Sequence, residues 1–201
     1  MPNKSLSRSG LLTYQKYSSL LVGNDPYSPG SYDLIQSEIL TGSQASVTFD
    51  VTGLGSTYQH LQLRILVRTD RANNEDWMIM RFNSDTGSNY SDHHLYGQGS
   101  SVYSNASTSS SYISAMGAIV GNNATANSFA GGVIDILDPF ETTKYTTTRT
   151  LGGFASTTNS IRLESGNWRN TAALTAITLD QGGGSNFVSG SRFSLYGLKV
   201  A

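Results

Sequence analysis

The chain of 201 residues contains no cysteine, and charged residues make up only 13% of it. Without cysteine there are no disulfide bonds, no thiolate metal sites and no cysteine nucleophile. The charged fraction is about half of the roughly 25% that soluble domains usually contain. Ser, Thr, Asn and Gly must therefore cover much of the surface, and this composition is typical of β-rich surface proteins.

Strong net charge and long hydrophobic runs are also missing. The formal net charge is -1, so no field attracts a polyanion, and we expect no nucleic-acid partner. No apolar run reaches the roughly 18 to 20 residues that cross a bilayer, and the leucines near the start are too interrupted for a signal peptide. We therefore expect no membrane partner, and synthesis in a cytoplasm.

Residues 1–32 differ from the rest of the chain, because they contain three of its four prolines. This predicts an extended N-terminal arm, followed by one domain over residues 33–201. The arm is too apolar for a solvated tail, which favours docking on this domain or on a neighbouring subunit. The interface candidates are Leu11, Leu12, Tyr14, Tyr17, Leu20 and Leu21. A short amphipathic helix from Leu11 to Val22 is the alternative.

From Ser46 onward, apolar residues alternate with polar ones, as they do in half-buried β-strands. The inward residues are Val47, Phe49 and Val51 in SVTFDV, and Leu61, Leu63, Ile65 and Val67 in LQLRILVRT. Further strands are predicted within 77–82, 111–120, 129–137, 144–151, 160–164, 174–180 and 192–200. Turn-forming residues separate these segments, and no long helix remains. We predict an all-β fold, an antiparallel β-sandwich of the jelly-roll type.

Two segments are assigned by composition. The outer face of the LQLRILVRT strand carries Gln62, Arg64, Leu66 and Arg68, and we expect it to meet water or a partner. Residues 97–112 are rich in Ser and other small residues, which predicts a long flexible loop that contacts a subunit or a ligand.

Asp85, Asp92 and His93 are the candidates for metal ligands. They lie in or beside NSDTGSNYSD, which has alternating oxygen ligands but lacks the closing Glu and the full spacing of an EF-hand. A hairpin turn at residues 85–87 explains the same residues. His93 and His94 would point to opposite faces of a strand. We therefore predict neither a metal nor a cofactor.

No catalytic constellation stands out. The chain has no G-x-S-x-G, Walker or H-E-x-x-H motif. Asp135, in VIDILDPF, shares its face with apolar residues, and we expect a donor such as Arg149 or a tyrosine hydroxyl to pair with it. The 11 tyrosines suit subunit interfaces or sugar stacking. We predict that the protein is not an enzyme.

A succession of short motifs resembles a family of small virion structural proteins of tailed bacteriophages, described as tail-fibre-like or head-decoration-like. The motifs are SYDLI, TYQHLQLRI, RFNSDTGSNY, HHLYG, GVIDILDPF, NTAALTAITLD and the ending SRFSLYGLKV. The similarity runs from about Ser31 to the end, and GLLTYQKYSSLLVGND resembles leaders of some members. The resemblance implies a virion component with no catalytic residues to carry over.

The resemblance and the size lead to the functional expectations. A chain of 201 residues without heptads or fibrous repeats looks like a self-contained module. We expect a capsid decoration or cement protein on the virion surface, made in the bacterial host cytoplasm. We expect the arm to grip other virion proteins and the subunits to form a homo-oligomer, a trimer. The alternatives are a tail-fibre or receptor-binding subunit for a host surface glycan, and a carbohydrate-binding module.

Overall fold

The computed structural model describes residues 32–199, which form twelve strands in two sheets. The strands are β1 (Tyr32–Ile39), β2 (Ser46–Asp50), β3 (Tyr58–Val67), β4 (Glu75–Phe82), β5 (Tyr90–Gln98), β6 (Ser101–Ser110), β7 (Ile113–Val120), β8 (Ala130–Leu137), β9 (Thr146–Ala155), β10 (Asn159–Trp168), β11 (Ala176–Gln181) and β12 (Arg192–Lys199). A single 3-10 turn, Leu54–Ser56, precedes β3. No helix in this part of the chain is long and apolar enough to span a membrane.

Eight of these strands pair in a nested way. β1 pairs with β12, β2 with β11, β3 with β8 and β4 with β7, all antiparallel. They stand in the orders β1-β12-β3-β8 and β2-β11-β4-β7. Two facing four-stranded sheets with this order form a jelly roll. The predicted fold class, an antiparallel β-sandwich of the jelly-roll type, is confirmed.

The other four strands continue the larger sheet beyond β8, in the order β9-β10-β5-β6. They enter the chain as two hairpins: β5 and β6 come between β4 and β7, and β9 and β10 come between β8 and β11. We call these four strands the extension. The last strand of the smaller sheet, β7, packs against β9, β10 and β5.

One aromatic cluster joins the extension to the jelly roll. Trp168, at the end of β10, is buried and lies with its ring centroid 5.6 Å from that of Phe82 and 6.4 Å from that of Tyr90. Its Nε1 donates a hydrogen bond to Asp85 Oδ2 at 2.8 Å. The Tyr90 hydroxyl accepts from the backbone N–H of Phe82 at 3.1 Å. These bonds satisfy the polar ends of aromatic side chains that are otherwise packed in the core.

All nine segments with period-two alternation contain a strand. The seven residues predicted to face inward on the first two are buried, each at most 5% exposed. The predicted turn residues fall between strands, because Gly, Asn and Asp readily adopt the backbone conformations that a chain reversal requires.

The prediction of a flexible loop over residues 97–112 is wrong. Residues 101–110 form β6, which pairs with β5 over its whole length. Two other strands, β1 and β5, also carry no clear alternation and were not predicted. Small polar residues form strands when a paired neighbour supplies the ladder hydrogen bonds, so composition alone misassigned this segment.

The prediction that Arg68 lies on a face that meets water or a partner is wrong. Only 8% of the residue is exposed. Its NH1 donates to the carbonyl oxygens of Thr125 and Ser128, and its NH2 to those of Asn122 and Ala124, at 2.8 to 3.2 Å. Gln62, expected on the same exposed face, is also buried. The Arg68 side chain therefore organises the loop between β7 and β8.

The arm predicted over residues 1–32 lies outside the described residues, apart from Tyr32, which begins β1. The interface candidates Leu11, Leu12, Tyr14, Tyr17, Leu20 and Leu21, and the alternative helix, also lie outside them. The predictions made for these residues therefore remain predictions.

Replacing Arg68 by Met should lower the free energy of unfolding by about 3 kcal/mol, because four carbonyl groups of the loop between β7 and β8, the buried one of Ala124 among them, lose their donor. Urea denaturation followed by tryptophan fluorescence measures this change. Arg192, exposed on β12, provides the matched control, and R192M should change stability by less than about 0.5 kcal/mol. Equal effects of the two substitutions would contradict a role for Arg68 in the loop.

Candidate functional site

In the middle of β5, β9 and β10, polar side chains point into the sandwich and apolar side chains point out. On β10, Ser160, Arg162 and Glu164 are buried, whereas Ile161 and Leu163 are 65% and 49% exposed. The adjoining strands follow the same pattern, with Thr148, Thr150, Asp92 and His94 inward and Leu151 and Leu95 outward. A sheet with one solvated face usually has the opposite arrangement, so both faces of the extension need an explanation.

The outward residues stand side by side in two rows across neighbouring strands. The first row is Val133, Leu151, Leu163 and Leu95, and the second is Leu66, Gly131, Gly153, Ile161, Gly97 and Val102. We call these two rows the apolar face. Its large side chains are 36% to 75% exposed. A contiguous exposed apolar surface of this kind usually marks a site that binds another molecule.

Glycines form the floor of a shallow groove in the apolar face, with a volume of about 470 Å³ and with Val133, Leu151 and Ile161 along its sides. At Gly153, an added Cβ would lie 2.4 Å from the carbonyl oxygen of Ser160, so the close approach of β10 requires glycine there. At Gly131 the nearest atom to an added Cβ would be 4.0 Å away. Packing within the domain therefore does not require glycine at position 131.

A polar row borders the apolar face. Asp135 Oδ1 accepts from Gln62 Nε2 at 2.8 Å, and Oδ2 accepts from Arg149 NH2 at 2.7 Å. The sequence-based expectation that Asp135 pairs with a donor such as Arg149 is confirmed. Burial raises the pKa of Asp135, but the hydrogen bonds from Gln62 and Arg149 outweigh it, and the pKa is lowered overall. The carboxylate is held ionised at the edge of an uncharged surface.

On the inner face, His94 lies between two buried carboxylates. Its Nε2 is 2.7 Å from Asp92 Oδ1, and its Nδ1 is 3.3 Å from Glu164 Oε1, where the contact is ionic and not a hydrogen bond. The side chains of Asp92 and Glu164 are only 2% and 1% exposed. Buried carboxylates are costly unless a cation and hydrogen-bond donors compensate them.

The same carboxylates accept hydrogen bonds from the outer edge of β7. The backbone N–H of Ser114 donates to Asp92 Oδ2 at 3.1 Å, and that of Gly117 donates to Glu164 Oε1 at 2.8 Å. A Cβ at Gly117 would lie 2.7 Å from that Glu164 oxygen. Glycine at position 117 therefore allows the Glu164 carboxylate to reach β7. At this edge of the smaller sheet, side chains of the larger sheet accept hydrogen bonds that a further strand would otherwise accept.

The hydrogen bond to Asp92, together with the contact to Glu164, raises the pKa of His94 to about 9 and outweighs the burial that lowers it. The imidazole is therefore a cation at neutral pH. The two carboxylates hold the imidazolium of His94 in place. Because both ring nitrogens face carboxylates, neither nitrogen is available to accept a proton from another molecule. Its geometry is that of a structural ion cluster.

The three candidate metal ligands are not brought together. Asp85 lies in the turn before β5, where its carboxylate accepts from Gly87, Asn89 and Trp168. Asp92 and His93 are neighbours on β5 and point inward and outward respectively. Within residues 32–199, no group of three or more His, Asp or Glu side chains is arranged to hold a metal ion.

The sequence analysis missed both the ion cluster and the apolar face. The sequence placed His93 and His94 on opposite faces of a strand, but it assigned a partner to neither of them. The signal was the alternation in SIRLESGNW, where Arg162 and Glu164 share a face with Trp168. A large aromatic residue such as Trp168 marks the buried face of a strand. Glu164 and Arg162, four and six residues before it, lie on the same face because side chains alternate.

Comparison with known proteins gives no match, whether to a family model, to a curated protein or to a solved structure. The fold itself defines the class, a jelly-roll β-sandwich whose larger sheet carries a four-stranded extension.

The ion cluster predicts a pH-dependent stability. A pKa raised from about 6.5 in the unfolded chain to about 9 in the folded chain means that His94 stabilises the fold fully below pH 6.5. This contribution is lost as the pH rises through 9. We expect the melting temperature to fall between pH 6.5 and 9 in scanning fluorimetry. In H94Q the melting temperature at pH 6.5 should be lower than in the wild type, and it should change less between pH 6.5 and 9.

The control is H93Q, which changes the neighbouring outward histidine and should keep the wild-type profile. A wild-type melting temperature that stays constant from pH 6.5 to 9 would show that His94 does not carry the charge assigned to it.

Proposed function

We propose that the protein is a structural component exposed on the surface of a tailed-bacteriophage particle, where it serves as a capsid decoration or cement protein. The observation that carries the proposal is the apolar face, which offers a broad uncharged surface for packing against another protein. The proposal assigns no catalytic role, and it places the protein on the virion after synthesis in the bacterial host cytoplasm.

The composition of the apolar face favours a protein partner. Its first row consists of Val133, Leu151, Leu163 and Leu95, all exposed and without a charged residue among them. The buried centres of protein interfaces are depleted in charge in the same way. A shell protein or a neighbouring subunit would cover the face, while the arm over residues 1–32 would hold the molecule to adjacent virion proteins.

The fold is compatible with this role, since jelly rolls occur in viral capsid proteins as well as in lectins. The motif resemblance noted above points to the virion. Neutral contacts are also suited to a particle that must persist in media of varying ionic strength, because salt screens exposed ion pairs but not apolar contacts.

A second candidate is a tail-fibre or receptor-binding subunit that recognises a host surface glycan. Tyr103 on β6 is 47% exposed and stacks on Tyr96 at a centroid distance of 5.1 Å. Arg162 lies over the Tyr96 ring at 4.2 Å. Aromatic rings fixed in this way are suited to stack on sugar rings. A carbohydrate-binding module would use the same side chains.

Cryo-EM of purified particles tests the location. Density for the domain repeated over the capsid lattice supports decoration. Density confined to the tail would transfer the assignment to host attachment, and absence of the chain from purified particles would overturn both virion roles.

Charge on the apolar face should prevent incorporation. Leu151 is 56% exposed on β9, so L151K can fold, yet binding would bury an unpaired ammonium group at a cost of several kcal/mol. We expect the copy number of L151K per particle, measured by quantitative mass spectrometry, to fall at least tenfold. T147K adds the same charge at an exposed polar position of the same strand and face, and it should incorporate normally. Equal incorporation of the two variants would exclude the apolar face as the contact.

A further inference from the structure

The two sheets have four edge strands, β1 and β6 in the larger sheet and β2 and β7 in the smaller one. An edge strand exposes unpaired N–H and C=O groups, and natural proteins usually block such edges with charges, bulges, short length or covering groups. The four edges therefore show which surface the fold leaves available for pairing.

Three of the four edges carry such protection. β1 contains Asp33 and Glu38 and has an irregular register between Leu34 and Gln36. β2 is only five residues long. On β7, the backbone N–H groups of Ser114 and Gly117 donate to Asp92 and Glu164, as described above.

The fourth edge, β6, lacks this protection except for a bulge near one end. Its ten residues, SVYSNASTSS, include no charged residue and no proline. It pairs regularly with β5 from Ser101 to Thr108, with the only irregularity near Ser109. Among residues 32–199, no strand pairs with its other side. The open edge is therefore long, regular and neutral.

Both faces of β6 are exposed as well. Val102, on the side of the apolar face, is 75% exposed, and Tyr103, on the opposite side, is 47% exposed. A strand added beyond β6 would give each of these side chains a neighbour and would satisfy the free backbone groups.

We propose that β6 pairs with β6 of a second copy of this chain, antiparallel and about a two-fold axis perpendicular to the sheet. This joins two eight-stranded sheets into one continuous sheet. The proposal rests on the strand edge and not on the virion role, so each can fail separately.

The partner is a second copy because β6 is compatible with itself. Like charges opposite each other in a sheet are destabilising, and a strand that meets its own sequence would place any charge near its own copy. β6 carries no charge at any position, and its Ser and Thr residues form favourable cross-strand pairs with one another. A two-fold isologous contact is also the commonest form of self-association.

The two-fold symmetry restricts the register. Side chains that face each other across the new pair must lie on the same side of the sheet, so paired positions differ by an even number of residues. The axis then passes through one residue of β6, which pairs with its own copy. In this arrangement the apolar faces of the two copies lie on the same side and adjoin along β6.

Sedimentation velocity of the full chain over a range from about 1 to about 100 µM, concentrations at which contacts of micromolar affinity are populated, tests self-association. We expect a dimer that dissociates on dilution. S104K places a lysine, the residue that commonly protects natural edges, on β6 and should raise the dimer dissociation constant at least tenfold. S46K adds the same charge at the exposed start of the β2 edge and should leave the constant unchanged.

The absence of cysteine from the chain permits a second test that does not depend on S104K. Single cysteines are introduced one at a time at positions 102 to 108, and the proteins are oxidised. In antiparallel pairs the Cα atoms are about 4.5 to 5.5 Å apart, within reach of a disulfide. Rapid crosslinking should occur at the position on the axis and be weak at the positions beside it.

A monomer at all concentrations would overturn the proposal, as would a dimer that S104K leaves intact and no single cysteine crosslinks. The trimer expected from sequence remains a prediction, and the same sedimentation measurement distinguishes it: a trimer unaffected by S104K would also overturn pairing through β6.

Discussion

The need to satisfy the outer edge of β7 is the constraint on which the extension depends. The N–H groups of this edge lie against the larger sheet, where an unpaired backbone donor would be costly. Asp92 and Glu164 accept hydrogen bonds from two of these groups, those of Ser114 and Gly117, and His94 supplies a cation beside both buried carboxylates. Polar residues therefore occupy the inner face of β5 and β10. Because side chains alternate along a strand, the apolar residues between them point outward.

The exposed apolar face thus follows from the same alternation that buries the ion cluster. Hydrophobic residues at Leu151, Ile161 and Leu163 are not needed to pack the jelly roll, and polar residues at these positions would leave the inner face unchanged. Alternation sets the outward direction of these side chains but does not require them to be apolar, and this is why the proposed function depends on them. The two inserted hairpins also leave β6 beyond the cover of the smaller sheet, so that one structural addition creates both the face and the open edge.

The strands of the jelly roll other than β1 were predictable, because they bury one face against the other sheet and therefore alternate. Leu61, Leu63, Ile65 and Val67 show this directly. The extension was less predictable, since β6 lacks a buried face and hence lacks alternation. Arg68 was misplaced for a related reason: charge suggests solvent, yet carbonyl groups from a loop more than 50 residues later in the chain surround it.

The amino-acid sequence by itself determined the all-β class, the positions of the alternating strands and the turns between them, because these depend on residues within a few positions of one another. Only the tertiary structure decided which strands became edges, which face of the extension was inner, and which partners His94 and Arg68 found. These outcomes depend on pairings such as β1 with β12, which are the first and the last strands of the domain in sequence. No local sequence pattern indicates which distant strand will supply the hydrogen bonds.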